Sequence, residues 1–264
     1  MTTNYPNSLD AFTLKTDGID DVMAADINNL QDAILAVETA LYSGDGWMEF
    51  SPTLTYNSFS GIIGIFKIVG DVTSIFRRKR PIKLVQSGNT KYFYVVSSSY
   101  AAPDTTVTIT GGSDYTLANE AISGVKVGIS DNPAGFPWSG GHIALKTPLG
   151  STSWDGDTFS TTAKTLIDLS SVFGAPDNIT EAQVRFLAWD SGSGASTDCW
   201  IGASPNNIAN NISLACWLAG NPNSIRTDVS SFVACDSNGD IYYQIKATGA
   251  GTLTAYMFIL SFTL

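Results

Sequence analysis

The sequence predicts a mainly β protein with one helix near its N-terminus. From Trp47 onward, short apolar or alternating runs are separated by turn residues such as Gly, Asn and Asp. Only 14% of the residues are charged, against about 25% in ordinary soluble domains, so Ser, Thr, Asn and Gly supply the polarity. We therefore expect an extended N-terminal arm and a short coiled-coil helix, then a small β-barrel or sandwich, then a C-terminal antiparallel, jelly-roll-like β-sandwich.

A heptad repeat between residues 20 and 44 predicts the helix. Its apolar residues follow a 4-3-4-3-4 spacing that places them on one seam: Met23, Ile27, Leu30, Ile34, Val37 and Leu41. Asp20 or Asp21 can cap the start, and Gly44 can end the helix. So narrow a seam must be covered, either by copies of the same helix or by a sheet of its own domain.

Small residues flank this seam. With Ile27 at position a, the neighbouring e and g positions include Ala24, Ala33 and Ala40, where dimeric zippers usually carry long charged side chains. Small flanking residues allow further helices to approach. The pattern therefore favours a three-stranded bundle and a homotrimer.

Residues 45–131 predict a small β-domain. The apolar run 62–69 ends at a Gly-Asp turn signal, residues 82–86 and 91–96 read as a hairpin, and residues 105–110 alternate Thr with Val and Ile. Residues 132–141 are rich in Pro and Gly and predict a linker.

Residues 142–264 predict the C-terminal sandwich. The expected strands are 164–169, 181–189, 198–201, 213–218, 231–235, 241–246 and 252–264. Seven strands at this spacing are typical of a jelly roll or a similar antiparallel sandwich. The last strand is long and apolar, which predicts a central or interface position.

Charge excludes some partners. The net charge of −10 argues against nucleic acid and against an anionic membrane as the main partner. Residues 1–42 hold seven acids and one base, so the arm together with the helix contributes −6. We expect it to meet a partly basic protein surface. No secretory segment or membrane insertion is predicted from the N-terminal sequence.

The N-terminal residues resemble a module of tailed-bacteriophage structural proteins. The resemblance rests on residues 4–10, 26–34 and 37–41, and a second stretch between 70 and 137 is similar to a β-module of phage virion proteins. It implies a virion protein assembled in the host cytoplasm, with residues 1–19 as an arm that docks on other virion proteins. The arm residues expected to make that contact are Tyr5, Pro6, Leu9 and Phe12.

Catalytic chemistry is poorly supported. His142 is the only histidine and lacks a nucleophile-elbow motif, and no pair among the four Glu residues stands out. The Asp236–Asp240 turn faintly resembles a calcium loop, but a tight turn of the Asx type is the simpler reading. We expect no enzyme activity, no cofactor and no metal. Cys199, Cys216 and Cys235 are expected to be buried free thiols.

Two surface contacts are candidates. The Trp154 ring could stack on a host-surface glycan while the carboxylates of Asp155 and Asp157 bind its hydroxyls. Most such rings, however, pack in the core. The basic run Arg77, Arg78, Lys79 and Arg80 reads as a solvated loop or as a contact with an acidic virion protein.

Two functions remain open at this stage. One is a homotrimeric fibre or spike, anchored by its arm, that presents the C-terminal sandwich for attachment to a host-surface glycan. The other is a purely architectural head decoration, neck or baseplate protein without a ligand of its own.

Overall fold

The computed structural model describes residues 27, 28, 30–32, 34, 45–151, 154, 156, 163–194, 199–219, 225–247 and 253–264. These residues are mainly β and form antiparallel sheets, as the sequence predicts. They divide into two compact units. The first holds the described residues up to 59, with 64–109 and 117–139, and the second holds 60–63, 110–116 and the described residues from 140 on.

The described part of the N-terminal region is helical. Residues 27, 28, 30–32 and 34 have helical backbone, and the seam residues Ile27, Leu30 and Ile34 are 51%, 54% and 49% exposed. The other three predicted seam residues (Met23, Val37 and Leu41) and the predicted arm contacts (Tyr5, Pro6, Leu9 and Phe12) lie outside the described residues. The coiled coil and the docking arm therefore remain predictions.

The first unit contains a seven-stranded sheet in the order β1-β7-β4-β5-β6-β3-β2. Its strands are β1 (Trp47–Glu49), β2 (Thr55–Ser60), β3 (Ile63–Val69), β4 (Pro81–Gln86), β5 (Asn89–Ala101), β6 (Asp104–Thr110) and β7 (Ser123–Gly128). The predicted hairpin joins β4 to β5 through a two-residue turn. Ser87 and Gly88 both have positive φ (53° and 75°), as the tight turns that match strand twist require.

Residues 132–139 of the predicted linker are a packed part of the first unit. Phe136 and Trp138 are 8% and 9% exposed, and their rings lie 4.8 and 6.0 Å from that of Tyr94. The indole N–H of Trp47 donates to the carbonyl of Ala134 at 2.9 Å. The Pro and Gly residues do produce turns here, but the aromatic rings between them bury apolar area that an open linker would leave in water.

The second unit contains two four-stranded sheets, in the orders β13-β10-β15-β8 and β12-β11-β14-β9. Their strands are β8 (His142–Gly150), β9 (Thr165–Ile167), β10 (Glu181–Asp190), β11 (Trp200–Ser204), β12 (Leu214–Trp217), β13 (Thr227–Ala234), β14 (Ile241–Lys246) and β15 (Leu253–Thr263). The arrangement is consistent with an antiparallel β-sandwich. As predicted for the last strand, β15 has a central position, between β10 and β8.

Alternation along β10 separates the core from the surface. Ala182, Val184, Phe186 and Ala188 are fully buried, while the residues between them are half-buried. Burial of a Val or Phe side chain contributes about 1.5–3 kcal/mol, so this period-two pattern fixes which face of β10 points inward. The half-buried residues between them therefore point to the surface of the unit.

The predicted strand 164–169 gives way to a helix at its end. The predicted strand 164–169 ends at Ile167, and a short helix, Leu169–Phe173, follows. Asp168 caps this helix through the backbone N–H of Ser171 at 2.8 Å, and Gly174 ends it with φ of 72°. The apolar composition of the segment fits a strand, but the capping residues at its two ends set a helical turn.

Candidate functional site

Aromatic side chains occupy the outer face of the sheet β13-β10-β15-β8. Pairing between β10, β13 and β15 places the outward residues of the three strands in register. We call the outward residues at one end of these strands the aromatic face. They are Arg185, Leu187 and Trp189 on β10, Arg226 just before β13, Asp228 near the start of β13, and Tyr256 and Phe258 on β15. None of these side chains is fully buried: Arg226, Asp228 and Tyr256 are exposed, Tyr256 by 48%, and the other four are half-buried.

Tyr256 and Phe258 provide two neighbouring rings on this face. They stand at alternate positions of β15, so their side chains point to the same side. Their ring centroids lie 6.5 Å apart, and the ring planes differ by only 28°. Gly150, which pairs with Phe258 from β8, carries no side chain that could cover the ring. The two rings are thus neighbouring, nearly parallel apolar groups on the outer face of the sheet.

Trp189 holds a cation at one end of this surface. Its ring centroid lies 5.8 Å from that of Tyr256, and the guanidinium carbon of Arg226 lies 4.8 Å above the indole. A guanidinium stacked on an aromatic face is held in place while its N–H donors still point outward in the plane of the group. Arg226 is therefore positioned with donors that can meet an anion.

An ion pair lies beside the rings. Nε of Arg185 is 3.1 and 2.9 Å from the two carboxylate oxygens of Asp228, and its Nη2 also donates to Asp228. The hydrogen bonds from Arg185 lower the pKa of the Asp228 carboxyl and raise that of the guanidinium. The pair is exposed to solvent, so its energetic value is small, but it fixes two hydrogen-bonding groups next to an apolar surface.

This arrangement has the chemical features of a carbohydrate-binding surface. Flat aromatic rings pack against the C–H face of a pyranose, and fixed polar groups beside them can bind the hydroxyls. Stacking rings beside fixed polar groups can bind a sugar by contact alone.

A second exposed aromatic pair lies on the other sheet. Trp200 of β11 pairs with Trp217 of β12, and their ring centroids are 5.6 Å apart at 45°. Trp217 is 58% exposed. An added side chain at Gly202 would come within 3.2 Å of the Trp200 ring, so the glycine leaves room for this indole to pack against the backbone of β11. The pair lacks the parallel rings of the aromatic face.

Trp154, the predicted glycan contact, packs against the interior. Its ring lies 5.5 Å from that of Tyr243, edge to face at 80°, and an added side chain at Gly156 would collide with it. Burial raises the pKa of the Tyr243 hydroxyl, and the Trp154 indole partly offsets that rise. Asp155 and Asp157 lie outside the described residues. These contacts favour a packing role for Trp154, and the predicted glycan contact remains untested.

The basic run is tied to the first unit by two of its members. Nη1 of Arg78 donates to the carbonyl of Val96 at 2.9 Å, and Nη1 of Arg80 donates to that of Gly128 at 2.7 Å. Desolvation lowers the pKa of Arg80, which is half-buried. Arg77 and Lys79 are exposed. A contact with an acidic neighbour would therefore fall on these two residues.

The other polar candidates have structural partners. Oδ1 of Asp236 accepts from the backbone N–H groups of Asn238 and Asp240, at 2.8 and 3.0 Å, which confirms the predicted Asx turn. His142 lies on the outer face, with Nδ1 3.3 Å from Oγ1 of Thr263. All three cysteines are free, and Cys199 and Cys216 are buried. Among the described residues, no cluster of three or more metal-ligating side chains occurs.

The sequence did contain a signal for the aromatic face. In 253–263, Leu253, Ala255 and Met257 form one apolar series, and Tyr256 and Phe258 add aromatic residues at the alternate positions. A strand that is apolar on both faces, in a sheet that can bury only one of them, leaves an aromatic row exposed. No pattern in the sequence points to Arg226 as a site residue, because only the pairing of β13 with β10 brings it to Trp189.

Comparison with known proteins adds little. No protein-family model and no curated protein sequence matches the chain. Among solved structures, the chain is similar to the N-terminal CBM22-1-CBM22-2 tandem domain of Xyn10C from Paenibacillus barcinonensis, at 10% identity, with 83% of this chain and 94% of that one covered and a TM-score of 0.24. It is also similar to the cycloalternan-forming enzyme from Listeria monocytogenes in complex with a pentasaccharide substrate, at 12% identity, with 83% and 22% covered and a TM-score of 0.23. Likenesses this weak carry no argument on function.

Within the described residues, no helix has both the length and the apolarity needed to cross a membrane.

Proposed function

We propose that the chain is a bacteriophage virion protein of the fibre or spike type, a homotrimer whose C-terminal sandwich attaches to a host-surface glycan. The resemblance of residues 4–41 to the N-terminal module of phage structural proteins supports the virion part of this proposal. The two four-stranded antiparallel sheets of the second unit support the predicted jelly roll, an architecture used by both viral capsid and lectin domains.

The aromatic face carries the attachment part of the proposal. Tyr256 is about half exposed on a central strand, and Phe258 beside it is only half-buried. Rings in such positions on a monomer mark an interaction surface, and the nearly parallel pair with polar groups beside it suits a sugar.

The helix supports trimer formation. Ile27, Leu30 and Ile34 are each about half exposed in the single chain, although they are the largest apolar residues described in the helix. Copies of the same helix would cover them. Replacing all three with Ser should convert a trimer to a monomer in light scattering at micromolar concentration, and a wild-type protein that is monomeric there would refute the trimer.

The attachment surface can be tested on the full chain. Wild type, Tyr256→Ala, Phe258→Ala and Trp217→Ala would be compared for binding to immobilised bacterial-surface and plant polysaccharides. Loss of one stacking ring costs about 1–1.5 kcal/mol, so the first two variants should bind about tenfold more weakly, while Trp217→Ala, an exposed ring on the other sheet, should bind like wild type. No binding by the wild type, or loss in Trp217→Ala alone, would refute this site.

Virion membership needs a separate test. Immunogold electron microscopy with antibody against the full chain should label fibres or the tail tip of the parent particle. Label over the head or neck, together with failure to bind any polysaccharide, would instead favour the architectural alternative.

A further inference from the structure

The aromatic face carries a positive group in a strongly acidic unit. Residues 140–264 contain ten acids and five bases, a net charge of −5. Two of the five bases, Arg185 and Arg226, lie on the aromatic face. Arg185 is neutralised by Asp228, whereas Arg226 rests on the Trp189 ring. The aromatic face therefore has a net positive charge, whereas the unit as a whole has a net negative charge.

From these contacts we infer that the glycan recognised by the aromatic face is acidic, with its carboxylate bound by Arg226. This inference rests on the proposed function and names the class of sugar for that site. A guanidinium binds a carboxylate through two parallel N–H donors, and the Arg226 side chain is exposed over the Trp189 ring, where a ligand can reach it.

The two parts of the site are within reach of one ligand. Arg226 lies 4.8 Å from the Trp189 centroid, and that ring lies 5.8 Å from the Tyr256 ring. A sugar stacked on Tyr256 or Phe258 therefore places its own carboxylate, or that of the next sugar, at the guanidinium. In this arrangement Trp189 is a positioning residue, since Arg226 covers its ring, and the stacking surface is Tyr256 with Phe258.

The hydration of Arg226 explains why a neutral glycan would be bound less well. Arg226 loses part of its hydration when a ligand covers the face, and a neutral ring gives no charge in return. An acidic ring supplies both the stacking surface and the counter-charge. The unit and a polyanion are both negatively charged, so long-range repulsion would weaken their encounter and selectivity must come from the local contact.

The test uses the full-length protein and three carboxylated polysaccharides (polygalacturonate, hyaluronate and polysialate), each paired with its carboxyl-reduced neutral form. Wild type should bind at least one acidic form about tenfold more tightly than its neutral partner, and Arg226→Gln should remove that preference while leaving the neutral form bound as before. Lys146→Gln removes the same charge from an exposed side chain of the same unit and should keep the preference.

Trp189 provides an independent check. Trp189→Leu should lose the acidic preference, and Trp189→Phe, which keeps an aromatic surface under the guanidinium, should retain most of it. Circular dichroism and urea unfolding would establish that each variant folds.

The outcomes separate the two proposals. Equal binding of acidic and neutral forms, or an acidic preference that survives Arg226→Gln, overturns this inference while the stacking site stands. Binding of neither form by the wild type overturns the proposed attachment function itself.

Discussion

The loop between β11 and β12 should depend on one lysine. Nζ of Lys164 donates to the carbonyls of Asn206 and Ile208, at 3.2 and 2.6 Å, and also to that of Asn211. Desolvation lowers the pKa of this ammonium, in keeping with its place among carbonyl groups. Three carbonyls from residues 206–211 thus converge on a single charge, so the change Lys164→Met, which keeps the aliphatic chain, should loosen the loop.

The size of the effect follows from these contacts. A hydrogen bond from a charged donor contributes about 1.5–3 kcal/mol when buried, but here water can replace part of each bond, since Lys164 is only half-buried. We therefore expect a total loss of about 2 kcal/mol. With an m-value of about 2 kcal/mol per M in urea, the unfolding midpoint should fall by about 1 M.

Urea unfolding followed by tryptophan fluorescence measures this loss, because Trp200 and Trp217 stand on the two strands that the loop connects. Lys146→Met is the matched control: its ammonium is exposed and lies 3.6 Å from Asp114, so its midpoint should move little. A Lys164→Met midpoint equal to that of the wild type, at unchanged m, would show that the ammonium does not organise the loop.

Three further predictions concern single residues. Thr105 is fully buried, and its hydroxyl joins two backbone groups, so Thr105→Val should destabilise the first unit by about 1–3 kcal/mol in urea, unlike Thr108→Val. Asp168→Ala removes the cap of the short helix and should cost about 1 kcal/mol at neutral pH. Burial raises the pKa of Cys216 to about 11 and that of Cys235 to about 12, so iodoacetamide at pH 8 should label them only after unfolding.

The Asp168 prediction also has a pH dependence. Hydrogen bonds from Ser171 and Ser170 lower the pKa of this carboxyl below its ordinary value of 3.8. Its contribution to stability is therefore fully present above that value and is lost as the pH falls through the lower, folded-state pKa. The difference between wild type and Asp168→Ala should shrink in acid, and a difference that stays constant down to low pH would contradict the capping role. Asp168→Asn, which keeps a capping oxygen, should retain most of the stability.

Much of the β-structure could be predicted from the sequence. The run 241–246 forms the predicted strand β14, and the turn at Ser87-Gly88 lies where Gly permits a positive φ. Period-two alternation and turn chemistry act over a few neighbouring residues, so they can be read without knowledge of the fold. The same local character explains the error at the end of the predicted strand 164–169, where Leu169 begins a helical turn instead.

The candidate site could not be predicted in the same way. Trp154 looked suited to a sugar because it precedes two acids, yet in the fold its ring meets Tyr243, 89 positions along the chain by number. Arg226 reaches Trp189, and Asp228 reaches Arg185, only because β10 and β13 pair in one register. The sequence by itself determined most of the β-strand segments, although not β8, and the acidity and the aromatic content of this protein. Only the tertiary structure decided which aromatic rings stay exposed, because pairing between distant strands sets both the neighbours and the outward face of each side chain.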